Sequence, residues 1–380
     1  MSTILCRNPL EIGRPCQKAP TVLELFAGCG GMSEGFRMSG LDVVCASDSW
    51  PVAAETYRRN HPNTQFVLGD ICSKEVKSKI VDVFNDRECA ILAGGFPCQA
   101  FSMSGKRDPA DPRGRLFEDF LDMARLLQPK IVVGENVVGI KSMIHPREPY
   151  WDTGAAWLKG ITSGSCEASL LDYVVNEPVA WKIIRRLGEL GYYADYKILN
   201  AADYGTPQAR KRVIFIGIRN DLPIAEDFPE PTHGPGLRPW VTVRSAIDQL
   251  SGLPEDRDWS HVFTNHKPDF LERISNTPIG SGVHSNYCDS YYRQPPDKPA
   301  RTVKEHHGGV FLHYEKNRVM TPRELARLQS FPDDYLFSGS KGAILKQIGN
   351  AVPPLLAKAV GVYVKNMLDS MDDGSNGLIA

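Results

Sequence analysis

Short apolar runs, each leading to a glycine or an acidic residue, recur through the first part of the chain. The first, residues 21–26, passes through a glycine turn into a helical stretch, and the runs 41–47 and 66–68 lead to Asp48 and Asp70. A strand, a glycine turn and a helix start in this order let a backbone approach a nucleotide-like ligand closely. The pattern predicts an open α/β sheet with a ligand site beyond the carboxyl ends of its strands.

The glycine turn after the first run indicates which ligand to expect. It contains Gly28 and Gly30, but Ser33 stands where the dinucleotide fingerprint requires a third glycine. Asp48 follows about twenty residues later, where a carboxylate can hold ribose hydroxyls. Taken alone, the glycine turn is also compatible with an ordinary turn that binds no ligand. Three acidic or glycine strand ends in series favour an adenosine-type cofactor, and the missing third glycine disfavours a nicotinamide dinucleotide.

A fourth apolar run, residues 89–93, is followed by Gly-Gly-Phe-Pro-Cys-Gln. Two glycines and a proline force a turn, which places Cys98 at the lip of the sheet. A buried structural thiol is the common alternative for a free cysteine. The next strand, residues 131–133, delivers Glu135, so that a thiol and a carboxylate stand at the ends of two successive strands.

Composition limits the class of protein. The chain has 380 residues, 42% of them hydrophobic and 23% charged, which is typical of a globular protein with one large domain and a smaller one. Its formal net charge is −1, so any binding to nucleic acid must use local patches. Nine cysteines without a C-x-x-C pair indicate reduced thiols in a cytosolic protein. We find no signal peptide and no run of membrane-spanning length.

Two polar tracts are candidates for contact with a substrate. Residues 101–114 have the length and polarity of a loop that closes over a substrate, although a solvated charged loop is the commoner explanation. Residues 221–239 have the composition of a linker, and residues 251–300 lack periodicity while carrying side chains that read base edges or phosphates. A short helix is predicted over 240–250, and longer helices over 116–127 and 179–190.

Five motifs in family order, between residue 23 and about residue 359, resemble those of bacterial DNA (cytosine-5)-methyltransferases. They are Leu-Phe-Ala-Gly-Cys-Gly-Gly at 25–31, Gly-Phe-Pro-Cys-Gln at 95–99, Glu-Asn-Val at 135–137, Gln-Ala-Arg-Lys-Arg-Val at 208–213 and Gln-Ile-Gly-Asn-Ala-Val-Pro-Pro at 347–354. The resemblance implies a Rossmann-like S-adenosylmethionine-dependent methyltransferase domain with a mixed sheet, and a smaller irregular target-recognition domain.

The resemblance also implies roles for particular residues. Cys98 is the expected nucleophile, Glu135 the expected partner of the cytosine ring, and Arg210 and Arg212 auxiliary residues. S-adenosylmethionine is expected near Phe26, Gly28, Gly30, Asp48, Asp70, Ile71, Pro97, Leu116, Asn350 and Val352. Contacts with DNA are expected from Gln99, Ser102, Lys106, Arg107, Asn286 and Arg293. One departure from the family concerns Asp48-Ser49-Trp50, where the aromatic residue comes one position late.

The implied reaction is methylation of carbon 5 of a flipped-out cytosine in a specific double-stranded DNA sequence, through a covalent Cys98 adduct. The predicted catalytic domain is 1–221 with 341–380, carrying an insert at about 142–178, and the predicted recognition domain is 222–340. We expect a monomer without metal, acting on DNA at the nucleoid; whether a cognate restriction endonuclease accompanies it stays open. The alternatives are a tRNA cytosine-5 methyltransferase, a catalytically inactive DNA-binding relative and, more remotely, a nicotinamide-dependent enzyme.

Overall fold

A computed structural model describes residues 19–97, 116–142, 178–225, 227–284, 291–304 and 311–372. Within these ranges a seven-stranded sheet has the order β3-β2-β1-β4-β5-β7-β6. Its strands are β1 (Thr21–Leu25), β2 (Asp42–Asp48), β3 (Gln65–Leu68), β4 (Ile91–Gly94), β5 (Ile131–Val137), β6 (Tyr192–Asn200) and β7 (Lys211–Arg219). Strands β1 to β5 run parallel to one another, and β7 runs antiparallel to both β5 and β6.

Ten α-helices accompany the sheet in the described part of the chain. They are α1 (Gly31–Met38), α2 (Pro51–Asn60), α3 (Lys74–Val83), α4 (Leu116–Leu127), α5 (Val179–Glu189), α6 (Val243–Ile247), α7 (Pro268–Ser275), α8 (Pro322–Leu328), α9 (Lys341–Asn350) and α10 (Pro354–Asp372). The predicted helix over 116–127 is confirmed over its length and at its end at Leu127. The predicted helix over 240–250 is shorter, since it ends at Ile247 and continues as a 3-10 turn.

Helices cover both faces of the sheet, which explains why its central strands are apolar without alternation. On one face, α3, α4 and α5 contribute Ile80, Phe120 and Ile183 to a core with the strands. On the other face, α1 and α10 contribute Phe36 and Leu356. The central strands are therefore fixed by packing from two sides, and their carboxyl ends form a rigid edge.

The reversed strand β7 brings its first residues to that same edge. In the antiparallel register, Arg212 at the start of β7 lies opposite Val137 at the end of β5, and Ile214 lies opposite Glu135. Residues separated by more than seventy positions in sequence thereby become neighbours. The predicted strand at 131–133 is longer than expected, because the pairing with β7 extends it to Val137.

A third hydrophobic cluster joins Cys29 to residues between 243 and 348, including Val243, Phe311 and Leu325. Ile344 and Ile348 of α9 belong to this cluster, although the predicted domain boundary at residue 340 assigned them to the catalytic domain. Helix α7 lies in the tract 251–300, which was predicted to lack periodicity. Only Phe270 and Ile274 form its packed apolar side, and two residues are too few to show helical spacing in the sequence. The domain boundaries themselves stay a prediction.

No helix in these described ranges is both long enough and apolar enough to cross a membrane.

The contact between α1 and α10 gives a prediction about stability. A Cβ atom added to Gly35 would lie 2.4 Å from the Pro354 carbonyl oxygen and 2.5 Å from the Ala357 Cβ. We expect Gly35→Ala to lower the free energy of unfolding by about 1–3 kcal/mol, since the helices must separate. Gly188 in α5 has no described neighbour within 4 Å of that position, so Gly188→Ala should stabilise by about 1 kcal/mol. Chemical denaturation measures both; equal effects would contradict this packing.

Candidate active site

A cavity of about 710 Å³ opens at the carboxyl edge of the sheet. It is bordered by the ends of β1, β2, β4 and β5 and by the end of α9. Nine of the ten residues predicted to bind the cofactor line it: Phe26, Gly28, Asp48, Asp70, Ile71, Pro97, Leu116, Asn350 and Val352. Glu135, Arg210 and Arg212 line the same cavity. The structure thus brings the predicted cofactor residues and three predicted catalytic residues together.

Gly30 is the predicted cofactor residue that does not line the cavity. Its φ is +92°, and a Cβ atom there would lie 2.7 Å from the Tyr335 hydroxyl and 2.9 Å from the His61 Nε2. The glycine is therefore required by the close packing of the turn against these side chains. Contact of Gly30 with the cofactor stays a prediction.

Asp48 fixes the glycine turn to the end of β2. Its Oδ2 accepts a hydrogen bond from the Gly28 N–H at 2.8 Å, and its Oδ1 accepts one from the Trp50 N–H at 2.8 Å. Burial raises the pKa of the Asp48 carboxyl, against these backbone hydrogen bonds, which lower it. Phe26 and Gly28, with φ of +56° and +54°, shape the turn around this carboxylate.

Trp50 lines the cavity although it comes one position later than in the family. The Lys346 Nζ lies 5.0 Å from the centroid of its ring, on the α9 side of the cavity. A cation over an aromatic face restrains the ring by a quadrupole interaction. The shifted aromatic residue is thus still available to pack against a planar ligand group.

Behind the glycine turn lies a buried polar cluster that the sequence analysis missed. The Ser33 hydroxyl donates to the Glu24 Oε2 and lies 2.6 Å from the Tyr57 hydroxyl. Burial raises the pKa of Glu24 to about 8, and the Ser33 hydrogen bond opposes that shift. Ser33 therefore has a defined partner at the position where the fingerprint would have glycine. A serine in place of the third glycine of the fingerprint was the sequence feature that could have pointed to this cluster.

At the other end of the cavity, Glu135 forms an ion pair with Arg212. The Arg212 Nε lies 3.0 Å from the Glu135 Oε1, and the two side chains are only 12% and 11% exposed. Burial lowers the pKa of the Arg212 guanidinium, and the Glu135 carboxylate opposes that shift. A Cβ atom on Gly95 would lie 3.1 Å from the Glu135 Oε2, so the glycine lets this carboxylate approach the turn after β4.

Asn136 anchors that turn, a role that sequence reasoning missed. Its Nδ2 donates to the Phe96 carbonyl oxygen at 2.8 Å, and its Oδ1 accepts from the Val137 N–H at 2.8 Å. The Phe96 ring is buried beside Phe120, with the centroids 5.4 Å apart. Phe96 therefore fixes the segment that leads to residue 98 through both its carbonyl oxygen and its side chain. Cys98 itself, with Gln99, Ser102, Lys106, Arg107 and Asn286, lies outside the described residues.

The two predicted auxiliary arginines have different surroundings. Arg210 is buried and donates to the Val303 carbonyl oxygen at 2.8 Å and the Gly349 carbonyl oxygen at 3.0 Å. Burial lowers its pKa well below the usual value. Gln208 supports the same region, because its Oε1 accepts from the Val303 N–H at 2.8 Å. Arg210 therefore braces the loop that carries Val303, and Arg212 faces the carboxylate.

Arg293 is not placed as a DNA contact. The residue is buried, and its guanidinium donates to the carbonyl oxygens of Ile274, Thr277 and His313, among other acceptors. A guanidinium occupied in this way cannot reach a base edge. The prediction that Arg293 contacts DNA is wrong for this structure, because its side chain is buried and joins residues 274–277 to the segment 313–317.

Among the side chains that the structure describes, no group of three or more His, Cys, Asp or Glu is arranged to hold a metal ion.

The mixed sheet, with one reversed strand beside a cavity at its carboxyl edge, defines a Rossmann-like methyltransferase domain. The sequence model of the C-5 cytosine-specific DNA methylases matches residues 20–149 and 175–366. The chain belongs to this family and is a DNA (cytosine-5)-methyltransferase. The unmatched residues 150–174 fall inside the tract predicted to be an insert.

Several characterised proteins resemble the chain over nearly its full length. A Type II methyltransferase of Haemophilus parahaemolyticus, M1.HphI, is 35% identical over 362 residues, which cover 91% of this chain and 87% of the relative. M.DdeI of Desulfomicrobium norvegicum is 31% identical, covering 89% and 87%. Among solved structures, a prophage-encoded E. coli protein assigned as a DNA modification methyltransferase has a TM-score of 0.70 at 24% identity, covering 92% of this chain and 100% of that one.

Proposed function

We propose that this protein transfers a methyl group from S-adenosylmethionine to carbon 5 of a flipped-out cytosine in a specific double-stranded DNA sequence, through a covalent adduct with Cys98. The observation that carries the proposal is the meeting of Glu135, Arg212 and the turn after β4 at one cavity. Carbon 5 of cytosine is a poor nucleophile. Addition of a thiolate to carbon 6 makes carbon 5 an enamine carbon, which divides one difficult step into easier ones.

In this proposal Glu135 acts on the cytosine ring. As the Cys98 thiolate adds to carbon 6, electron density moves toward ring nitrogen 3, where the Glu135 carboxyl delivers a proton. Arg212 fixes the orientation of Glu135 through the 3.0 Å contact. After methylation, a solvent water takes the proton from carbon 5, the nitrogen 3 proton returns to Glu135, and the Cys98 sulfur leaves as the aromatic ring is restored. A base stacked in a duplex is out of reach of these groups, so the target must be flipped out.

The cavity suits S-adenosylmethionine, which supplies an electrophilic methyl group when bound. This cofactor carries positive charge, and the cavity is lined by the acidic residues Asp48 and Asp70. Trp50 and Phe26 offer aromatic surface for an adenine ring. Asp48 stands at the end of β2, which is the position at which doubly wound folds hold ribose hydroxyls.

Direct evidence for the reaction would come from sequencing DNA after chemical conversion. Plasmid DNA incubated with the protein and S-adenosylmethionine should carry 5-methylcytosine in one recurring sequence context. A tRNA pool treated in parallel should remain unmodified, because the family model that matches the chain is that of the C-5 cytosine-specific DNA methylases. Methylation of tRNA alone would favour the RNA alternative, and methylation of neither would favour an inactive relative.

The Type II relatives suggest a setting for the reaction. They are named Type II methyltransferases, a class of enzymes that protects DNA from a restriction enzyme of the same specificity. We propose the same role here, with a cognate restriction endonuclease as the expected companion and a monomer acting on DNA.

Loss of the Asp48 carboxylate should weaken cofactor binding. We expect Asp48→Ala to raise the dissociation constant of S-adenosylmethionine about tenfold to a hundredfold, since buried charged hydrogen bonds contribute roughly 1.5–3 kcal/mol. Isothermal titration calorimetry measures the change. Asp42 begins the same strand at the opposite edge of the sheet and is exposed, so Asp42→Ala is the matched control. Equal affinities for the two variants would contradict the placement of the ribose at Asp48.

A further inference from the structure

Arg293 uses all of its side-chain donors inside the smaller domain. The Nε donates to the Thr277 carbonyl oxygen at 2.7 Å. One terminal nitrogen donates to the carbonyls of His313 and Lys316, and the other to the Ile274 carbonyl and the Asn317 Oδ1. A guanidinium has five N–H donors, so the set is complete. The arginine thereby joins the end of α7 to the loop at 313–317.

The main chain of Arg293 holds an exposed turn. The Gly280 N–H donates to the Arg293 carbonyl oxygen at 2.9 Å, and the Arg293 N–H donates to the Ser281 carbonyl oxygen at 2.9 Å. Gly280 has a φ of +85°, which this turn requires and which favours glycine. The turn, residues 278–281, is thus fixed in position. At its tip Ile279 is 54% exposed, although it is a large apolar residue.

The segment that carries Arg293 also reaches the cavity. Tyr292 pairs with Gly282, and the guanidinium carbon of Arg301 lies 3.7 Å from the centroid of the Tyr292 ring. The residues after Arg301, from Thr302 to Lys304, line the cavity. The turn at 278–281 and the cavity loop are therefore attached to the same short segment, residues 291–294. Under the proposed function, the base in the cavity stays covalently linked to its neighbouring nucleotides, which must therefore lie outside the cavity mouth.

We propose that Ile279 is a specificity-determining residue that contacts the 5-methyl group of a thymine in the DNA major groove, and that Arg293 is the positioning residue that holds its turn. An exposed apolar side chain on a fixed backbone suits this contact, because the thymine methyl is the apolar group among the major-groove base edges. Preorganisation by a saturated buried arginine gives the contact a defined place. The proposal rests on the proposed function, since it names a residue that selects the DNA sequence for that reaction.

The test combines a protein variant with a DNA variant. The recognised sequence of the wild-type enzyme is first mapped by conversion sequencing, and each thymine is then replaced by uracil, which removes only the methyl group. One replacement should lower the wild-type methylation rate at limiting DNA about tenfold. Ile279→Ser should show the same loss on normal DNA and no further loss on the uracil duplex. Ile279→Val should stay within about threefold of wild type.

Ile224 gives a matched control, because it is 50% exposed and follows β7 at the edge of the sheet opposite the cavity. Ile224→Ser should remain as sensitive to uracil as the wild type. For the positioning role, Arg293→Lys should reduce discrimination at the same thymine. Arg323, fully buried and bonded to the carbonyls of Trp259 and Tyr335, provides a control that lowers stability elsewhere. Arg323→Lys should keep the wild-type sequence preference.

Three results would overturn the assignment: a mapped sequence without thymine, equal losses on uracil for wild type and Ile279→Ser, or an altered preference in Arg323→Lys matching that in Arg293→Lys. If the wild-type enzyme methylates no DNA, the proposed function itself fails. The two failures are therefore distinguishable.

Discussion

Cys98→Ser should reduce the single-turnover rate of methyl transfer by at least about a thousandfold, the scale on which loss of a catalytic nucleophile acts. A serine hydroxyl is far less ionised than a thiol at neutral pH and is a harder nucleophile toward carbon 6. Binding of S-adenosylmethionine should be nearly unchanged, because the cavity residues that favour the cofactor come mostly from other segments. Rapid-quench assays with labelled cofactor measure the rate, and calorimetry measures the binding.

A second cysteine separates this effect from loss of structure. Cys45 is fully buried in β2, and burial raises the pKa of its thiol to about 12, so it cannot serve as a nucleophile near neutral pH. Cys45→Ala should lower stability through a small core cavity and leave the rate per folded molecule close to wild type. A Cys98→Ser enzyme with a rate near wild type would exclude a covalent thiol mechanism.

Glu135→Gln should slow the chemical step by roughly a hundredfold to ten-thousandfold, the usual range for a general acid or base. The amide keeps the size of the side chain and one acceptor for Arg212, but it cannot deliver a proton to ring nitrogen 3. DNA binding, measured by fluorescence anisotropy at fixed salt, should change much less than the rate. The expected signature is a loss in the single-turnover rate without a matching loss in affinity.

Breaking a buried ion pair also costs stability, so this variant needs a control of the same kind. Glu324 is fully buried and pairs with Arg318 at 2.7 Å, and neither residue lines the cavity. Glu324→Gln should lower the thermal midpoint as much as Glu135→Gln or more, while the chemical rate of the folded enzyme stays close to wild type. Rates that fall equally in both variants would assign Glu135 a purely structural role.

The predictions from sequence succeeded where a local pattern carries the information. The strand ends at Asp48 and Asp70 were predicted at one edge of the sheet, and both line the cavity. The helix over 116–127 was predicted correctly because its apolar positions repeat at helical spacing and Pro129 follows it. Each of these features depends on neighbouring residues, which is why a single sequence sufficed.

The misses concern contacts between distant segments. Nothing local shows that β7 reverses its direction beside β5, or that Arg212 thereby meets Glu135. Asn136 holds the Phe96 carbonyl across two strands, and no spacing in the sequence predicts that bond. Arg293 was predicted to contact DNA because of its residue type and because the surrounding sequence lacks periodicity. The same residue type serves equally well as a buried brace, and only the fold separates the two roles.

The covalent intermediate can be tested directly with a duplex that carries 5-fluorocytosine at the target position of the mapped sequence. With S-adenosylmethionine present, the fluorine cannot leave carbon 5 as a cation, so the Cys98 sulfur should remain bonded to carbon 6. The account predicts a denaturation-resistant protein–DNA complex for the wild type, with peptide mass spectrometry locating the base on Cys98, and none for Cys98→Ser. A wild-type enzyme that methylates the normal duplex but forms no complex with the fluorinated one would contradict the mechanism.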